Sequence, residues 1–289
     1  MTAEPRPVYL NGEWCTTETA CVSVFDRGYL FGDGVYEVIP AFAGRLFGLE
    51  AHMTRLARSL DAIGIGQPLG REAWQAIFDR LIAALDAPDA AIYLQVTRGA
   101  PARRDHAWPD TSVRPGVMAT ISPVGGIEGG ARVITVPDQR WGRCDIKSIN
   151  LLPNTMARQQ AIDKGCDEAV LIRDGLVMEG AATNLFAVIG GRLLTAPNGP
   201  RILPGVTRGL LIDLARRERL VEVDESFISI GALREADEVF LTSSTKDLWP
   251  VVEIDGKPVG QDERAGRVGP ITRLLDRHFQ ALKTERSEP

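Results

Sequence analysis

Lysine is scarce in this chain beside arginine. Of 33 basic residues, 28 are arginine and five are lysine, and the first lysine from the N-terminus is Lys147, in RCDIKSINLLPN (143–154). Histidine occurs three times, and His52, His106 and His278 stand at no metal-ligand spacing from one another. The four cysteines, Cys15, Cys21, Cys144 and Cys166, form no CxxC pair, which argues against a zinc site and, at 289 residues, against a disulfide framework. A net charge of −5 offers no basic surface for nucleic acid. No apolar run approaches the length of a membrane span, and MTAEPRPVYLNGEW has no charged-then-apolar leader pattern. These absences predict a cytoplasmic protein with reduced thiols and no metal. No P-loop is present, and no Ser–His–Asp arrangement is readable from residue order.

What is present is a chain of alternating strand and helix signals. VYLNGEW predicts a hairpin at Asn11-Gly12, and VYEVIPAFAGRLFGL a second one near Ala43-Gly44. Met53, Leu56, Leu60 and Ile63 lie at helical spacing within 50–63, and a second amphipathic helix is predicted over 71–87. Residues 91–99 and 116–122 read as strands. SPVGGIEGG (122–130) has four glycines in nine residues and is the expected linker between a domain over 1–121 and one over 131–289. The second half predicts a strand in ARVITVP, a helix over 153–165 with Gly165 as its cap, and strand pairs turning at Asp174-Gly175 and Gly190-Gly191. A helix in TRGLLIDLARRER, a strand in DEVFLTSST and a helix from about 267 follow. Irregular mixing of strands and helices predicts an α+β fold of two mixed domains, not a doubly wound sheet.

An amine does one thing that a guanidinium cannot. Arginine stays protonated, whereas a lysine can lose its proton and attack an aldehyde to form a Schiff base. Lys147 lies between Ile146 and Ile149, and residue type and setting alone favour a structural lysine whose stem covers apolar neighbours. Glu179, in VMEGAATN, precedes small residues that let a flat or anionic group approach the backbone. A carboxylate beside a pyridine nitrogen keeps that nitrogen protonated; the plainer reading is a solvated turn glutamate. ILPGVTRGL opens a helix at Val206-Thr207, where free N–H groups suit a phosphate, although an ordinary cap by Thr207 accounts for it too. LTSST (241–245) adds four hydroxyls, and Arg55 a charge that on a helix is usually exposed. In GAPARRDHAWPD, Arg104 and His106 could clamp a carboxylate, or the loop could be a solvated basic one.

Taken together and in order, DRGYLFGDGVYEV (26–38), RCDIKSINLLPN, EGAATN (179–184) and ILPGVTR (202–208) resemble the class IV aminotransferases, the fold-type IV pyridoxal 5′-phosphate (PLP) enzymes. The resemblance spans about residues 8 to 280 and is closest to the D-amino-acid aminotransferases, on RGYLFGDGVYEV and the R-x-H of Arg104-Asp105-His106. It implies two mixed α/β domains with PLP at their interface. It implies that Lys147, in the second domain, holds the cofactor and then acts as general base and acid. Glu179 would pair with the pyridine nitrogen, and Leu203 would pack on the ring. Arg55, Val206, Thr207, Ser243 and Ser244 would hold the phosphate. Tyr36, Arg104 and His106 would trap the substrate carboxylate, the last two from the partner subunit of a homodimer. Amino acids and 2-oxo acids would be the substrates. Two departures stand out: Arg103 doubles the clamp arginine, and EGAATN carries alanines where some relatives have serines. A branched-chain L-aminotransferase is the nearest rival, followed by an aminodeoxychorismate lyase or an (R)-amine transaminase. A non-catalytic protein that kept the fold is a rival of another class, and Lys147 together with Glu179 speaks against it.

Overall fold

A computed structural model describes residues 5–85, 87–126 and 129–285. The chain forms two compact units. The first runs to Gly125 and includes Ile146–Asn150; the second takes Gly126–Asp145 and the chain from Leu151 onward. Ile127 and Glu128 of the expected linker lie outside the described residues.

The first unit contains β1 (Pro7–Leu10), β2 (Glu13–Thr16), α1 (Arg27–Phe31), β3 (Gly34–Phe42), β4 (Arg45–Leu46), α2 (Leu49–Ala62), α3 (Arg71–Ala83), β5 (Asp89–Thr97) and β6 (Gly116–Pro123). Asn11 and Gly12 turn the first hairpin at φ 51° and 98°, and Ala43 and Gly44 the second at 48° and 75°, the left-handed backbone that such two-residue turns require. The strands form an antiparallel sheet in the order β2-β1-β6-β5-β3-β4 among the described residues. Leu56 and Leu60 of α2 and Trp74, Phe78 and Leu81 of α3 pack with Ile39, Ile92, Leu94 and Ile121 of the sheet. The predicted Met53 and Ile63 pack against this core partly buried. Helix α3 ends at Ala83, short of the predicted 87, and β6 runs through Pro123 into the segment expected as linker.

Sequence order puts Lys147 in the second domain, but its segment packs with the first unit. The cause is an edge that β4 leaves open along β3. Tyr36 N–H donates to the Lys147 carbonyl at 3.0 Å, Ile149 N–H donates to Gly34 C=O at 3.1 Å, and Val35 bridges Ser148. Ile146 joins the first unit's core. Gly34 makes the approach possible: a Cβ there would stand 2.6 Å from Val96 O and 3.1 Å from Ile149 Cδ1.

The second unit contains β7 (Ala131–Pro137), α4 (Leu152–Asp163), β8 (Glu168–Arg173), β9 (Leu176–Gly180), β10 (Asn184–Ile189), β11 (Arg192–Thr195), α5 (Val206–Arg217), β12 (Val223–Glu225), β13 (Ile228–Ser229), α6 (Ile230–Arg234), β14 (Glu238–Ser243), β15 (Asp247–Ile254), β16 (Lys257–Pro258) and α7 (Pro270–Glu285). Its sheet runs β12-β11-β10-β14-β15-β7-β8-β9-β13, with β16 on β15. Strands β11/β12, β15/β7 and β7/β8 pair in parallel and the others antiparallel, so the sheet is mixed, as an α+β fold predicts. Phe186 and Phe240 stack at 5.0 Å in its centre. Among the described residues no helix is long and apolar enough to cross a membrane.

Candidate active site

The five lysines differ sharply in setting. Lys283 is paired with Asp247, Lys246 lies over the Trp249 ring, and Lys164 and Lys257 are exposed. Lys147 is half-buried, with Nζ 4.2 Å from the centroid of the Tyr36 ring. Its backbone is clasped on both sides, since its N–H donates to Ser59 Oγ at 3.2 Å and its carbonyl accepts from Tyr36. The amine is thus the one free-swinging part of a fixed residue. Tyr36 in turn stacks on Tyr93 at 5.7 Å, and burial pushes the Tyr93 hydroxyl up to about 12, with the nearby Tyr36 adding to the rise.

Arg55 is not the exposed helix arginine that the sequence suggested. It is 6% exposed and grips Glu37 with two nitrogens, Nε and Nη2, each 2.7 Å from a carboxylate oxygen. His52 Nδ1 lies 2.7 Å from the same carboxylate. Burial opposes the Glu37 charge, yet Arg55 and His52 outweigh it and hold the carboxyl down at about 2. Burial also lowers His52, and the Arg55 and Lys147 charges push the same way, so the imidazole is neutral near pH 7. Neither Glu37 nor His52 was singled out from the sequence, although His52 and Arg55 share a helix face at i, i+3.

A lowered carboxyl stabilises the fold above its unfolded value of 4.5, and that stabilisation is lost as pH falls through about 2. Glu37→Gln leaves Arg55 buried without its counter-ion and is expected to destabilise the protein at pH 7 by roughly 3 kcal/mol. The gap to the parent narrows as pH drops from 4.5 toward 2, which urea titrations across that range will read.

The loop carrying the doubled arginine separates its two candidates. Arg103 reaches Asp105 at 3.6 Å. Arg104 instead lies with its guanidinium carbon 4.8 Å from the Phe31 ring centroid, and His106 packs 5.2 Å from the same ring. Arg104 and His106 are therefore presented together on one aromatic surface, both exposed.

In the second unit Glu179 lies near the end of β9, 3% exposed, which overturns the solvated-turn reading. Its carboxylate accepts from Arg140 Nη1, from Asn184 Nδ2 at 2.8 Å, and from the Leu203 N–H at 3.0 and 3.1 Å. Burial raises Glu179 to about 7 against the pull of Arg140 and the Leu203 amide. Arg140 is also held by Asp138, through Nε at 2.9 Å and Nη2 at 3.0 Å, and Asp138 pairs with Arg173 at 2.9 Å. Burial disfavours the Arg140 cation, but Asp138 and Glu179 together hold it above its ordinary value. A carboxyl poised near 7 in a dry site responds strongly to one more cation. A protonated ring nitrogen brought against it would draw it into the ionised form and be held protonated in return.

Asn184 joins this carboxylate to the start of α5. Besides Glu179 it donates to the Leu203 carbonyl at 2.9 Å, and a Cβ on Gly205 would stand 1.9 Å from its Oδ1, so only glycine fits there. Gly205 is the helix cap and makes no side-chain cap bond, while Thr207 is buried within the first turn, so Thr207 is not the N-cap. Across the sheet Asn184 faces Thr242, whose buried hydroxyl has no hydrogen-bond partner, and Ser243 and Ser244 follow it into a turn. A 12-residue helix whose start has no side-chain cap, tied by one asparagine to a buried carboxylate and set across the sheet from an orphaned hydroxyl, suits a molecule with an anion at one end and a basic nitrogen at the other. PLP has that form. Asp138, Arg140 and Asn184 were not assigned from the sequence, though Asn184 stands inside EGAATN.

Comparison with known proteins agrees with this chemistry. The amino-transferase class IV family model matches residues 34–254. The D-alanine aminotransferase of Staphylococcus epidermidis is 39% identical over 277 residues, covering 94% of this chain and 96% of that one. Among solved structures, the branched-chain amino acid aminotransferase of Escherichia coli superposes with a TM-score of 0.87 at 26% identity, over 99% of this chain and 97% of that one. The branched-chain aminotransferase of the thermophilic archaeon Thermoproteus uzoniensis, solved with norvaline, gives a TM-score of 0.84 at 27% identity, over 98% and 96%. With a family match over residues 34–254 and a relative 39% identical across 94% of its length, the chain belongs to the class IV aminotransferases.

Proposed function

We propose that this protein is a PLP-dependent aminotransferase that exchanges amino groups between D-amino acids and 2-oxo acids in two half-reactions with ping-pong kinetics. The observation that carries the cofactor reading is the buried Glu179, tied through Asn184 and Leu203 to the uncapped start of α5. The D-amino-acid reading rests on similarity to the D-alanine aminotransferase of Staphylococcus epidermidis and on the exposed Arg104/His106 pair.

When bound, PLP supplies an aldehyde that a primary amine can join and a ring that accepts the electron pair left by a departing α-proton. The protein does the rest. The Lys147 amine would hold the cofactor between turnovers, would take the substrate's α-proton as general base, and would deliver it to the cofactor's side of the bond as general acid. Glu179 would keep the ring nitrogen charged, and Leu203 would pack on the ring. The first amides of α5 at Val206 and Thr207, with Ser243, Ser244 and the charge of Arg55, would hold the phosphate. Tyr36, Arg104 and His106 hold the substrate carboxylate.

The reading includes a cytoplasmic homodimer, with the clamp loop serving the partner's site. Val22, Val24, Phe25 and Tyr29 lie close together in the sequence and are 57, 66, 41 and 74% exposed, an apolar stretch that a second copy would cover. Sedimentation should give a mass of two chains.

Arg104→Ala is expected to raise KM for D-alanine by about 10- to 100-fold, with cofactor affinity unchanged, because a fork matched to a carboxylate is lost. Arg103→Ala should change KM by less than about threefold, since Arg103 is engaged by Asp105. Equal losses from both would contradict the assignment. The structural likeness to branched-chain enzymes keeps an L-specific transaminase as the second reading. Assays of D-alanine, L-leucine and an (R)-amine, each with 2-oxoglutarate, separate the two.

A further inference from the structure

Arg27 sits on α1, 4% exposed, on a five-residue helix of sequence RGYLF. It belongs to the motif that links the chain to its family, yet it has no place among the groups that hold cofactor or substrate. Its guanidinium points at the clamp loop. Nη1 donates to Asp105 O at 2.5 Å and to Ala107 O at 3.1 Å, and Nη2 donates to His106 O at 3.3 Å. Nε donates to Asp33 at 2.8 Å, and the guanidinium carbon lies 4.7 Å from the Phe31 ring centroid. Three consecutive loop carbonyls and the ring beneath Arg104 and His106 are thus tied to one buried side chain.

Asp33 is shared. Its carboxylate oxygen also accepts from Arg98 Nε at 2.8 Å, and Arg98 donates its remaining nitrogens to Ile63 O at 2.6 Å and Gly64 O at 3.2 Å. The Arg98 guanidinium lies 4.0 Å from the Trp108 ring, so the residue after Ala107 is gripped as well. The backbone of an exposed, proline-bracketed loop has no strand or helix to hold it. Here two buried arginines that share one aspartate take over that work.

We propose that Arg27 is the positioning residue of the carboxylate clamp: it fixes the Asp105–Ala107 backbone and the Phe31 platform so that Arg104 and His106 meet the substrate carboxylate as one preorganised pair. This rests on the clamp reading of Arg104. Lysine at position 27 keeps the charge against Asp33 but has no planar fork to span three carbonyls, so the loop loses its fixed geometry while the charge of the cluster is unchanged. A displacement of about 1 Å in a binding group is enough to cost an order of magnitude or more.

The test is a double-mutant cycle on the holoenzyme with D-alanine as the varied substrate. Arg27→Lys should raise KM by about tenfold while kcat falls less than about threefold and the cofactor dissociation constant is unchanged. In the Arg104→Ala background the same change should add less than about twofold, because only His106 is then left to position and the charged fork that gains most from it is gone. Phe31→Leu, which leaves the carbonyl contacts in place and thins the platform, should give a smaller rise of the same kind. Full additivity of Arg27→Lys and Arg104→Ala overturns the proposal, as does a drop in kcat and cofactor affinity that matches the rise in KM. If Arg104→Ala itself leaves KM unchanged, the clamp reading fails. A raised KM in Arg104→Ala beside an unchanged one in Arg27→Lys removes the positioning role alone.

Discussion

Lys147→Ala is expected to lower amino-group transfer by on the order of 10⁴-fold or more, with the fold retained. The size follows from the two tasks proposed for one nitrogen, holding the cofactor and moving the α-proton, and from the settings of the other four lysines. Lys246 is committed to the Trp249 ring and Lys283 to Asp247, while Lys164 and Lys257 are exposed. The fold is retained because the segment is anchored by its backbone. The bonds to Tyr36 and Ser59 use the Lys147 carbonyl and amide, and the apolar anchor is Ile146. Loss of the side chain frees only the face of Tyr36. Thermal unfolding of the cofactor-free proteins should therefore give midpoints within a few degrees of each other. Added methylamine should restore part of the proton transfer in the variant, since a small free amine fits the space the lysine leaves. A variant with turnover within about tenfold of the parent would remove Lys147 from the mechanism.

The second large effect belongs to Glu179. Glu179→Gln should cost about 10²- to 10³-fold in turnover, because a neutral amide cannot hold a ring nitrogen protonated and the electron sink weakens. The same carboxyl leaves a mark on stability without any cofactor. Its folded value is raised to about 7 from 4.5, chiefly by burial. A raised acid binds its proton more tightly in the folded state, so its stabilisation is complete below 4.5 and disappears as pH rises through about 7. Unfolding of the cofactor-free protein should accordingly weaken from pH 4.5 to 7.5, by roughly 3 kcal/mol from this group. Glutamine cannot titrate, so the variant's curve should lack that slope. Glu37 tilts stability the other way, but below pH 4.5, so the two limbs are separable. Parallel curves for Glu179→Gln and the parent would contradict the burial argument.

Much of this site was legible before any coordinates. The hairpins at Asn11-Gly12 and Ala43-Gly44 were readable because two-residue turns demand left-handed backbone that few residues adopt. Lys147 was conspicuous because arginine fills nearly every other basic position. What the sequence withheld are the partners. Arg140 is 39 residues from Glu179, and Glu37 lies 18 from Arg55, so no local pattern joins them. The R-x-H spacing pointed to Arg104 over Arg103; what it could not show is that Arg104 lies over the Phe31 ring while Arg103 reaches Asp105. Strand β15 went unread because Pro250 interrupts DLWPVVEI, yet Pro250 sits opposite Phe240 in the ladder. The assignment of Lys147 to the second half failed for a related reason. A short segment followed an open strand edge rather than its sequence neighbours.

The central claim is that one amine on the first unit moves the α-proton of a D-amino acid. The most direct measurement is a single-turnover experiment with holoenzyme and no acceptor, comparing D-alanine with D-alanine deuterated at its α-carbon. Pyruvate should form in about one equivalent per chain, with a rate slowed several-fold by the deuterium in the parent and no pyruvate from Lys147→Ala. Equal yield from L-alanine, or pyruvate from the variant at the parent's rate, would contradict the account.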